Sequence, residues 1–360
     1  MQQAPGQDAQ DDSQVLTEVR GRLGHILLNR PRALNALTHG MVLRIAAALD
    51  EWAADDAVAS VLISGAGERG LCAGGDITAL YRDRADGAAS AAFWRDEYLL
   101  NARLARYPKP VTAFMDGIVL GGGVGVSAHV GHRIVTERSR VGMPETGIGF
   151  VPDVGGTWLL AGAPGELGTY AALTGGQFGP EDAILLGLAD ICAASADLPA
   201  IAAKLEDTDP GTVLAEAARP VPEAPLAAQR AWIDACFSAD SVEEILARLR
   251  SRPEPQAAAA AAELGARSPT ALKVTLAALR RARRLPDLEA ALSQEYRVSL
   301  HALHTPDFAE GVRAQVIDKD RRPQWSPADP GQVPDADVEA YFAPAPHGDL
   351  FAAPAENGHV

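Results

Sequence analysis

The amino-acid sequence predicts an α/β fold: a spiral of β-β-α units with its helices outside, followed by a region that is almost entirely helical. Between about residues 15 and 200, short β-rich or apolar runs alternate with amphipathic helical segments, the pattern typical of α/β folds. After residue 200 the composition changes to Ala, Leu, Glu and Arg with helical periodicity. We therefore divide the chain into a disordered tail (1–13), a spiral core (14–200), a C-terminal helical region (201–326) and a tail rich in Pro, Ala and Asp (327–360).

The first elements are a hairpin, a helix and a strand. Two β-rich runs, Val15 to Arg20 and Gly24 to Leu28, are separated by glycine, which predicts a hairpin. Thr38 then caps a helix whose apolar residues recur at a spacing of three and four. The apolar run from Val58 to Ile63 follows as a buried strand.

The later elements continue the same alternation. The patterns predict three further strands, at Val111–Val119, Ile134–Thr136 and Ile191–Cys192. They also predict two short helices, at Val124–Val130 and Glu181–Leu186, the second started by a Gly-Pro pair.

Composition and charge disfavour several classes of protein. The formal net charge of -15 and the pI near 5.0 argue against a nucleic-acid partner, because phosphate backbones are bound by clustered cations. Cys72, Cys192 and Cys236 are far apart, form no CxxC pair and indicate neither a disulfide framework nor a metal site. The polar N-terminus and the lack of a long apolar run predict a cytoplasmic protein that neither enters nor binds a membrane.

Two glycine-rich turns and one acidic segment carry the chemistry. Gly74-Gly75 and the run from Gly121 to Gly123 each come after a predicted strand and bring backbone N–H groups to a ligand without a Cβ in the way. Either turn alone is more often a packing device. The spacing fits neither the dinucleotide-binding GxGxxG pattern nor a phosphate-binding loop ending in GK[ST].

The third segment contains two carboxylates, Glu145 and Asp153, in a stretch rich in glycine, proline and apolar residues. Most Asp and Glu side chains are simply solvated on the surface. Acids flanked by Met, Pro, Ile, Phe and Val are expected to be desolvated, and desolvation raises their pKa toward the range useful for acid–base catalysis.

Together these motifs resemble the crotonase, or enoyl-CoA hydratase/isomerase, superfamily. Four segments in this order carry the resemblance: LNRPRALNALT (28–38), LCAGGDITALY (71–81), KPVTAFMDGIVLGGGVGVSAH (109–129) and MPETGIGFVPDVGG (143–156). The resemblance implies a crotonase-type spiral core. It also implies that the backbone N–H groups of Gly75 and Gly122 form an oxyanion hole for a thioester carbonyl.

One departure from the hydratase pattern is informative. Hydratases of this superfamily use two glutamates, and Glu145 matches one of them, whereas Gly125 stands at the place of the other. The pairing of Glu145 with Asp153 is instead similar to the subfamily that hydrolyses 3-hydroxyisobutyryl-CoA. The segments WRDEYLLN (94–101), SPTALKVTL (268–276) and DFAEGVRAQVIDKDRRPQW (307–325) extend the resemblance to about residue 343.

That subfamily resemblance implies an acyl-CoA thioester hydrolase of valine catabolism that needs no metal or other cofactor, since coenzyme A is part of the substrate. Glu145 is the expected nucleophile or general base. Asp153 is expected to orient the substrate hydroxyl or water and to donate a proton to the leaving thiolate. Glu97 is expected to line the substrate pocket. Self-association, with a trimer as one arrangement, is expected from the superfamily.

The coenzyme A phosphates need cationic partners. Arg30 and Arg32 beside the first strands are our prediction for this role, and the basic cluster at 319–322 is a second. A solvated charged surface explains either group equally well.

Two alternative functions stay open from the sequence. The first is hydration or isomerisation of a short-chain enoyl-CoA with Glu145 alone. The second is a catalytically idle acyl-CoA-binding paralogue on the same fold, which the presence of Glu145 and Asp153 disfavours.

Overall fold

The computed structural model describes residues 13–346 and 348–351, so the predicted disordered tail lies outside the described residues except for Ser13. The predicted α/β class is confirmed. Ten strands are present in the described part: β1 Val15–Arg20, β2 Leu23–Leu28, β3 Ser60–Gly65, β4 Gly70–Cys72, β5 Val111–Met115, β6 Ile118–Leu120, β7 His132–Thr136, β8 Arg140–Gly142, β9 Gln177–Phe178 and β10 Ile191–Ala193.

The helices alternate with these strands at first and then follow one another. Those of the first part are α1 His39–Ala54, α2 Ile77–Asp83, α3 Ala88–Ala105, α4 Gly122–Gly125, α5 Gly156–Ala161, α6 Leu167–Thr174 and α7 Pro180–Leu185. The later ones are α8 Leu198–Leu205, α9 Pro210–Ala217, α10 Pro225–Phe237, α11 Val242–Arg250, α12 Pro255–Gly265, α13 Pro269–Ala282, α14 Leu288–Leu303, α15 Pro306–Val312 and α16 Asp335–Ala340.

Two sheets form the spiral. The larger has the strand order β1-β2-β3-β5-β7-β10, and the smaller has the order β4-β6-β8-β9. All pairs are parallel except the hairpin β1–β2 and the pair β8–β9. The Thr38 side chain accepts a hydrogen bond from the Met41 N–H at 3.2 Å, so it caps α1 as predicted.

The segment predicted as one strand, Val111–Val119, is in fact two strands in different sheets. The chain turns at Gly117, whose φ of +65° lies in the left-handed region. A Cβ there would approach the Arg69 carbonyl oxygen to 2.6 Å, so the turn requires glycine. This turn moves the chain from the larger sheet to the smaller one, where β6 ends beside the second glycine turn.

The helix predicted at Val124–Val130 begins earlier and is shorter, at Gly122–Gly125. The Ser127 hydroxyl donates to the Gly123 carbonyl oxygen at 2.6 Å. A side-chain bond to that carbonyl competes with the regular helical bond, which agrees with a helix that ends here.

The C-terminal helices pack against the larger sheet and against helices of the first part. Helices α8 and α9 pack on one face of the larger sheet, and α8 spans residue 200, where we drew the boundary between the core and the helical region. Helix α14 packs against α3 and α5. The division into regions stays a prediction. No helix in residues 13–346 or 348–351 is long and apolar enough to cross a membrane.

Candidate active site

Two glycine turns meet at one edge of the smaller sheet. Strands β4 and β6 are parallel neighbours, and the turns at Gly74-Gly75 and Gly121-Gly122 follow them. A Cβ built on Gly122 would lie 3.2 Å from the Gly75 nitrogen, so the turns pack closely. Neither the Gly75 nor the Gly122 N–H has an acceptor among the described residues. Two such amides side by side can bind an oxygen on which negative charge develops.

The same glycines leave room for two buried carboxyl groups. A Cβ on Gly121 would approach Oε1 of Glu145 to 2.7 Å, and a Cβ on Gly122 would approach Oε1 of Glu97 to the same distance. Gly121 also has a φ of +51°, which disfavours any other residue. The glycine run is therefore required both for the exposed amides and for the approach of the acids.

The structure brings the predicted acid pair to these turns. Glu145 begins a 3₁₀ turn, Glu145–Ile148, and Asp153 lies in the loop that leads into α5. Their residues are only 7% and 6% exposed, and both line the cavity that the glycine turns border. Glu97, on the buried face of α3, lines the same cavity, and its role in binding substrate stays a prediction.

The cavity is small and its wall is largely apolar. Its volume is about 230 Å³. The rings of Trp94 and Phe150 stack with their centroids 5.6 Å apart on one side of it. The other apolar lining side chains among the described residues include Ile77, Leu80, Phe93 and Ile148. This space suits a short acyl group better than a whole acyl-CoA, whose larger part must extend outside.

Burial dominates the protonation of these acids. Desolvation raises the pKa of Glu97 and of Glu145 well above the usual glutamate range, and the charge of Asp153 raises both further. Burial also raises the pKa of Asp153 to about 7, although a hydrogen bond from Tyr98 lowers it. Burial therefore favours the neutral form of each of the three acids.

Sequence reasoning missed Tyr98 and Ser299. The Tyr98 hydroxyl donates to Oδ2 of Asp153 at 2.7 Å and lies 2.7 Å from the Ser299 hydroxyl oxygen. All three groups are buried. Tyr98 directly follows Glu97 in WRDEYLLN (94–101), one of the segments that carry the resemblance. That position indicated that Tyr98 lies near the site. Nothing in the sequence indicated Ser299, which is 201 residues away from Tyr98.

Glu295 was missed as well. Its carboxyl accepts hydrogen bonds from the Gly155 N–H at 2.6 Å and from the Thr157 N–H and hydroxyl at 2.9 and 2.5 Å. It thereby holds the start of α5, directly after Asp153. Burial raises the pKa of Glu295 to about 8 despite these donors. The buried residues of α14 are both polar and apolar, so nothing in the helix sequence indicated this contact.

One cationic side chain, Arg267, lines the cavity among the described residues. Its Nε and Nη2 donate to the Thr174 carbonyl oxygen at 3.0 and 2.5 Å. Burial lowers the pKa of the Arg267 guanidinium from its usual value. Arg267 therefore places a positive charge beside a cluster of acids.

The predicted phosphate partners lie away from this cavity. Arg30 forms an ion pair with Asp76 at 3.1 Å and also donates to the Ala36 carbonyl oxygen, which fixes the loop next to the first glycine turn. Arg32 is exposed. Neither is among the residues that line the cavity, so the structure does not bring them to the acids.

The second basic cluster, Lys319, Arg321 and Arg322, is exposed and follows the π turn Arg313–Ile317. That turn contributes Gln315 to the cavity lining. The binding of coenzyme A phosphates by either basic group stays a prediction.

Position 125 has no room for a glutamate. A Cβ on Gly125 would approach the Val154 Cβ to 2.7 Å and Nδ2 of Asn101 to 2.9 Å. Real Cβ atoms essentially never make contacts this short. The space that a second glutamate would need is filled by the chain just after Asp153.

In the part of the chain that the structure describes, no three His, Cys, Asp or Glu side chains are placed to hold a metal ion. The prediction that no cofactor is needed stays a prediction.

The fold and the site agree with the family comparison. The family model described as enoyl-CoA hydratase/isomerase matches residues 23–342. The chain belongs to this family, and the resemblance predicted from the motifs is confirmed.

Within the family, the most similar curated relatives include 3-hydroxyisobutyryl-CoA hydrolases. The mitochondrial hydrolase of Danio rerio is 39% identical over 350 residues, which covers 94% of this chain and 91% of the relative. That of Rattus norvegicus is also 39% identical, over 92% of this chain and 89% of the relative. The second resemblance, to this subfamily, is thereby confirmed.

Among solved structures, a carnitinyl-CoA dehydratase from Mycobacterium thermoresistibile is 50% identical with a TM-score of 0.91, covering 93% of this chain and 98% of that one. An enoyl-CoA hydratase from Rhodobacter sphaeroides 2.4.1 is 44% identical with a TM-score of 0.89, covering 94% of this chain and 99% of that one. Both share the whole architecture.

Proposed function

We propose that this protein hydrolyses a short acyl-CoA thioester, 3-hydroxyisobutyryl-CoA, to 3-hydroxyisobutyrate and coenzyme A. The observation that carries the proposal is the burial of Glu145 and Asp153 beside two glycine turns, with Gly125 where a hydratase has its second glutamate. The hydrolases among the curated relatives, similar over almost their whole length, support the same substrate.

The glycine turns supply the electrostatic part of the reaction. The thioester carbonyl oxygen accepts hydrogen bonds from the Gly75 and Gly122 amides, which stabilise the negative charge that forms when the carbonyl carbon is attacked. The loss of one such donor typically costs about 2.7 to 4 kcal/mol of transition-state stabilisation.

The acid pair moves the protons. Glu145, when ionised, attacks the carbonyl carbon or removes a proton from an attacking water. The C–S bond then breaks, and protonated Asp153 gives its proton to the departing thiolate. Because two neighbouring buried carboxyls resist a second charge, the ionisation of one keeps the proton on the other. The proposed division of roles uses the form in which that proton lies on Asp153.

The remaining groups are proposed to bind the substrate and to determine which acyl-CoA is accepted. Glu97 has a buried Oε1 without a hydrogen-bond partner among the described residues, which fits an acceptor for the hydroxyl of the acyl group. The adenosine and phosphate part of coenzyme A lies outside the cavity, where Arg30, Arg32 and the cluster at Lys319 are our choices for its phosphates. The reaction uses no metal or further cofactor.

A substrate panel tests this function. Purified protein is mixed with 3-hydroxyisobutyryl-CoA, isobutyryl-CoA, 3-hydroxypropionyl-CoA and acetyl-CoA, and free thiol is measured over time. We expect the highest kcat/KM with 3-hydroxyisobutyryl-CoA and a loss of rate when the hydroxyl is absent. No thiol release from any member of the panel would refute the proposal.

A trapping experiment separates the two roles of Glu145. Hydroxylamine added during turnover converts a covalent acyl–Glu145 anhydride to a hydroxamate, which changes the mass of the peptide that contains residue 145. A modified peptide means nucleophilic attack by Glu145, whereas direct attack by water predicts that no modified peptide forms.

The names of the two solved structures favour a second candidate, the hydration or dehydration of an acyl-CoA double bond. The crowded site at Gly125 argues against it. Loss of the ultraviolet absorbance of the conjugated double bond of crotonyl-CoA without thiol release would support this candidate over hydrolysis.

The metabolic pathway that fits this activity is valine degradation. We further propose that the protein is cytoplasmic and forms a homo-oligomer, without nucleic-acid or membrane partners. Light scattering of the purified protein tests the oligomer, and a monomer mass would contradict it.

A further inference from the structure

A buried hydrogen-bond chain of two hydroxyl groups contacts Asp153. Tyr98 Oη lies 2.7 Å from Oδ2 of Asp153 and 2.7 Å from Oγ of Ser299. Tyr98 is fully buried, and its ring packs edge-on against Tyr296 with the centroids 6.3 Å apart. The hydroxyl is therefore held in place by packing and has two polar partners.

The number of available protons determines the direction of each hydrogen bond between Asp153, Tyr98 and Ser299. A tyrosine hydroxyl has one proton, so it donates to only one of its two partners. When Asp153 is ionised, Tyr98 donates to it and accepts from Ser299. When Asp153 is protonated, the carboxyl can donate to Tyr98, which then donates to Ser299. Both states use the same oxygen positions, because only the hydroxyl hydrogens change partners.

We propose that Tyr98 is the positioning residue of Asp153 in both of its protonation states, and that the Tyr98–Ser299 hydrogen bond reverses direction when Asp153 gains or gives up its proton. This rests on the proposed function, in which Asp153 protonates the coenzyme A thiolate. The proton leaves Asp153 for the sulfur, and the carboxylate that remains accepts a hydrogen bond from Tyr98, which in turn accepts one from Ser299.

The helical region contributes a second contact to the same loop. Glu295 and Ser299 are four residues apart on α14 and so lie on one face of that helix. Ser299 reaches Asp153 through Tyr98, and Glu295 binds the backbone of Gly155 just after it. Helix α14 thus fixes the loop that carries Asp153 at two points, which gives the C-terminal region a direct role in the site.

Several other ionisable groups face Asp153. Glu97 on α3, Glu145 on the 3₁₀ turn and Glu295 on α14 are buried acids whose pKa is raised in part by the charge of Asp153. Arg267 lines the same cavity, and His129 contacts the Val154 carbonyl oxygen at 2.7 Å. The substitution Tyr98→Phe leaves all of these in place and removes one hydroxyl.

The test compares Tyr98→Phe with Tyr296→Phe across a pH–rate profile for thiol release. Tyr296 is the matched control, because its ring touches that of Tyr98 while its hydroxyl contacts the Ala91 carbonyl oxygen instead of Asp153. The rate falls as pH rises through the pKa of an acid that must be protonated. A hydrogen bond to a carboxylate is stronger than one to the neutral acid, so its loss raises that pKa by roughly one unit.

We expect Tyr98→Phe to move the basic limb of the profile to higher pH by about one unit and to lower kcat roughly 10-fold with little change in KM. Tyr296→Phe keeps the wild-type profile. Ser299→Ala gives a smaller shift, and Ser293→Ala, a buried serine on the same helix, gives none. If the basic limb of the pH–rate profile of Tyr98→Phe stays at the wild-type pH while the melting temperature is unchanged, the inference is wrong.

Two further measurements keep the inference separate from the proposed function. In an Asp153→Asn background, Tyr98→Phe should lower the residual rate no further, because its effect acts through the carboxyl. Carbon-13 NMR of aspartate-labelled protein, with the signal assigned by Asp153→Asn, reads the pKa of Asp153 without turnover. A wild-type protein that releases no thiol refutes the function alone, whereas an unchanged NMR titration in Tyr98→Phe refutes the positioning role.

Discussion

The substitution Gly122→Ala tests the oxyanion site with a single methyl group. The added Cβ would lie 2.7 Å from Oε1 of Glu97 and 3.2 Å from the Gly75 nitrogen. The end of the Glu97 side chain can move, but the Gly75 backbone cannot. The methyl group therefore occupies the space between the two amides, where the thioester oxygen binds.

Alanine keeps the N–H at position 122, but its methyl group keeps the thioester oxygen away from the amides, which is equivalent to the loss of one oxyanion hydrogen bond. Such a loss lowers kcat by about 100- to 1000-fold, or roughly 2.7 to 4 kcal/mol. The fold should survive, because Gly122 does not have a positive φ and alanine is a good helix former at the start of α4. We expect the melting temperature to change little while kcat falls.

The assay is free-thiol release from 3-hydroxyisobutyryl-CoA at saturating substrate. Gly265→Ala is the matched control, because a Cβ at Gly265 meets no atom within 4 Å. Gly265→Ala should keep wild-type kcat. If Gly122→Ala also keeps it, the carbonyl oxygen does not bind between the two glycine amides and the reasoning is wrong.

Three further predictions concern the acids and the crowded glycine. Glu145→Gln and Asp153→Asn should each lower kcat by roughly 100-fold or more in the thiol assay, with no loss of melting temperature, because a neutral amide replaces a buried acid. Gly125→Glu should destabilise the protein by at least about 1 to 3 kcal/mol in urea unfolding and should create no crotonyl-CoA hydration, since its Cβ collides with neighbouring atoms. The pKa of Glu295 is about 8 in the folded protein against an ordinary glutamate value of 4.5, so the folded state holds its proton where the unfolded chain has lost it. The free energy of unfolding should therefore fall as pH rises from about 5 to 8, and Glu295→Gln should make that fall smaller; an equal fall in both proteins would contradict the assigned pKa.

Much of the fold could be predicted because the elements of the first half are locally encoded. The capping Thr38, the glycine-separated hairpin and the alternation of strands and helices all have short-range physical causes. The strand predicted at Val111–Val119 was wrong in one respect, since it ignored the turn at Gly117. An Asp-Gly pair is a turn signal, but inside an apolar run it was outweighed by β propensity.

The candidate site could be predicted as far as the motifs extend. Gly75, Gly122, Glu145 and Asp153 lie in glycine-rich loops, whose composition is itself a signal, and the structure brings them together. Their catalytic roles stay predictions. The close approach of Gly121 to Glu145 could not be predicted, because the two are 24 positions apart and meet only through the packing of the two turns.

The groups behind the acids could not be predicted at all. Ser299 and Glu295 belong to a helix whose sequence shows only an amphipathic pattern, and polar residues on such a helix are usually solvated. Their role depends on how α14 packs against α3 and α5, which no local pattern specifies. Helix α14 therefore carried no signal of these contacts in its sequence, although it holds the loop of Asp153.

The most direct test of the account is a crystal structure with a non-hydrolysable analogue of 3-hydroxyisobutyryl-CoA in which a methylene replaces the thioester sulfur. The account predicts the analogue's carbonyl oxygen within hydrogen-bonding distance of both the Gly75 and Gly122 nitrogens, with its carbonyl carbon facing Glu145. A carbonyl group bound elsewhere, with these amides facing solvent, would contradict it.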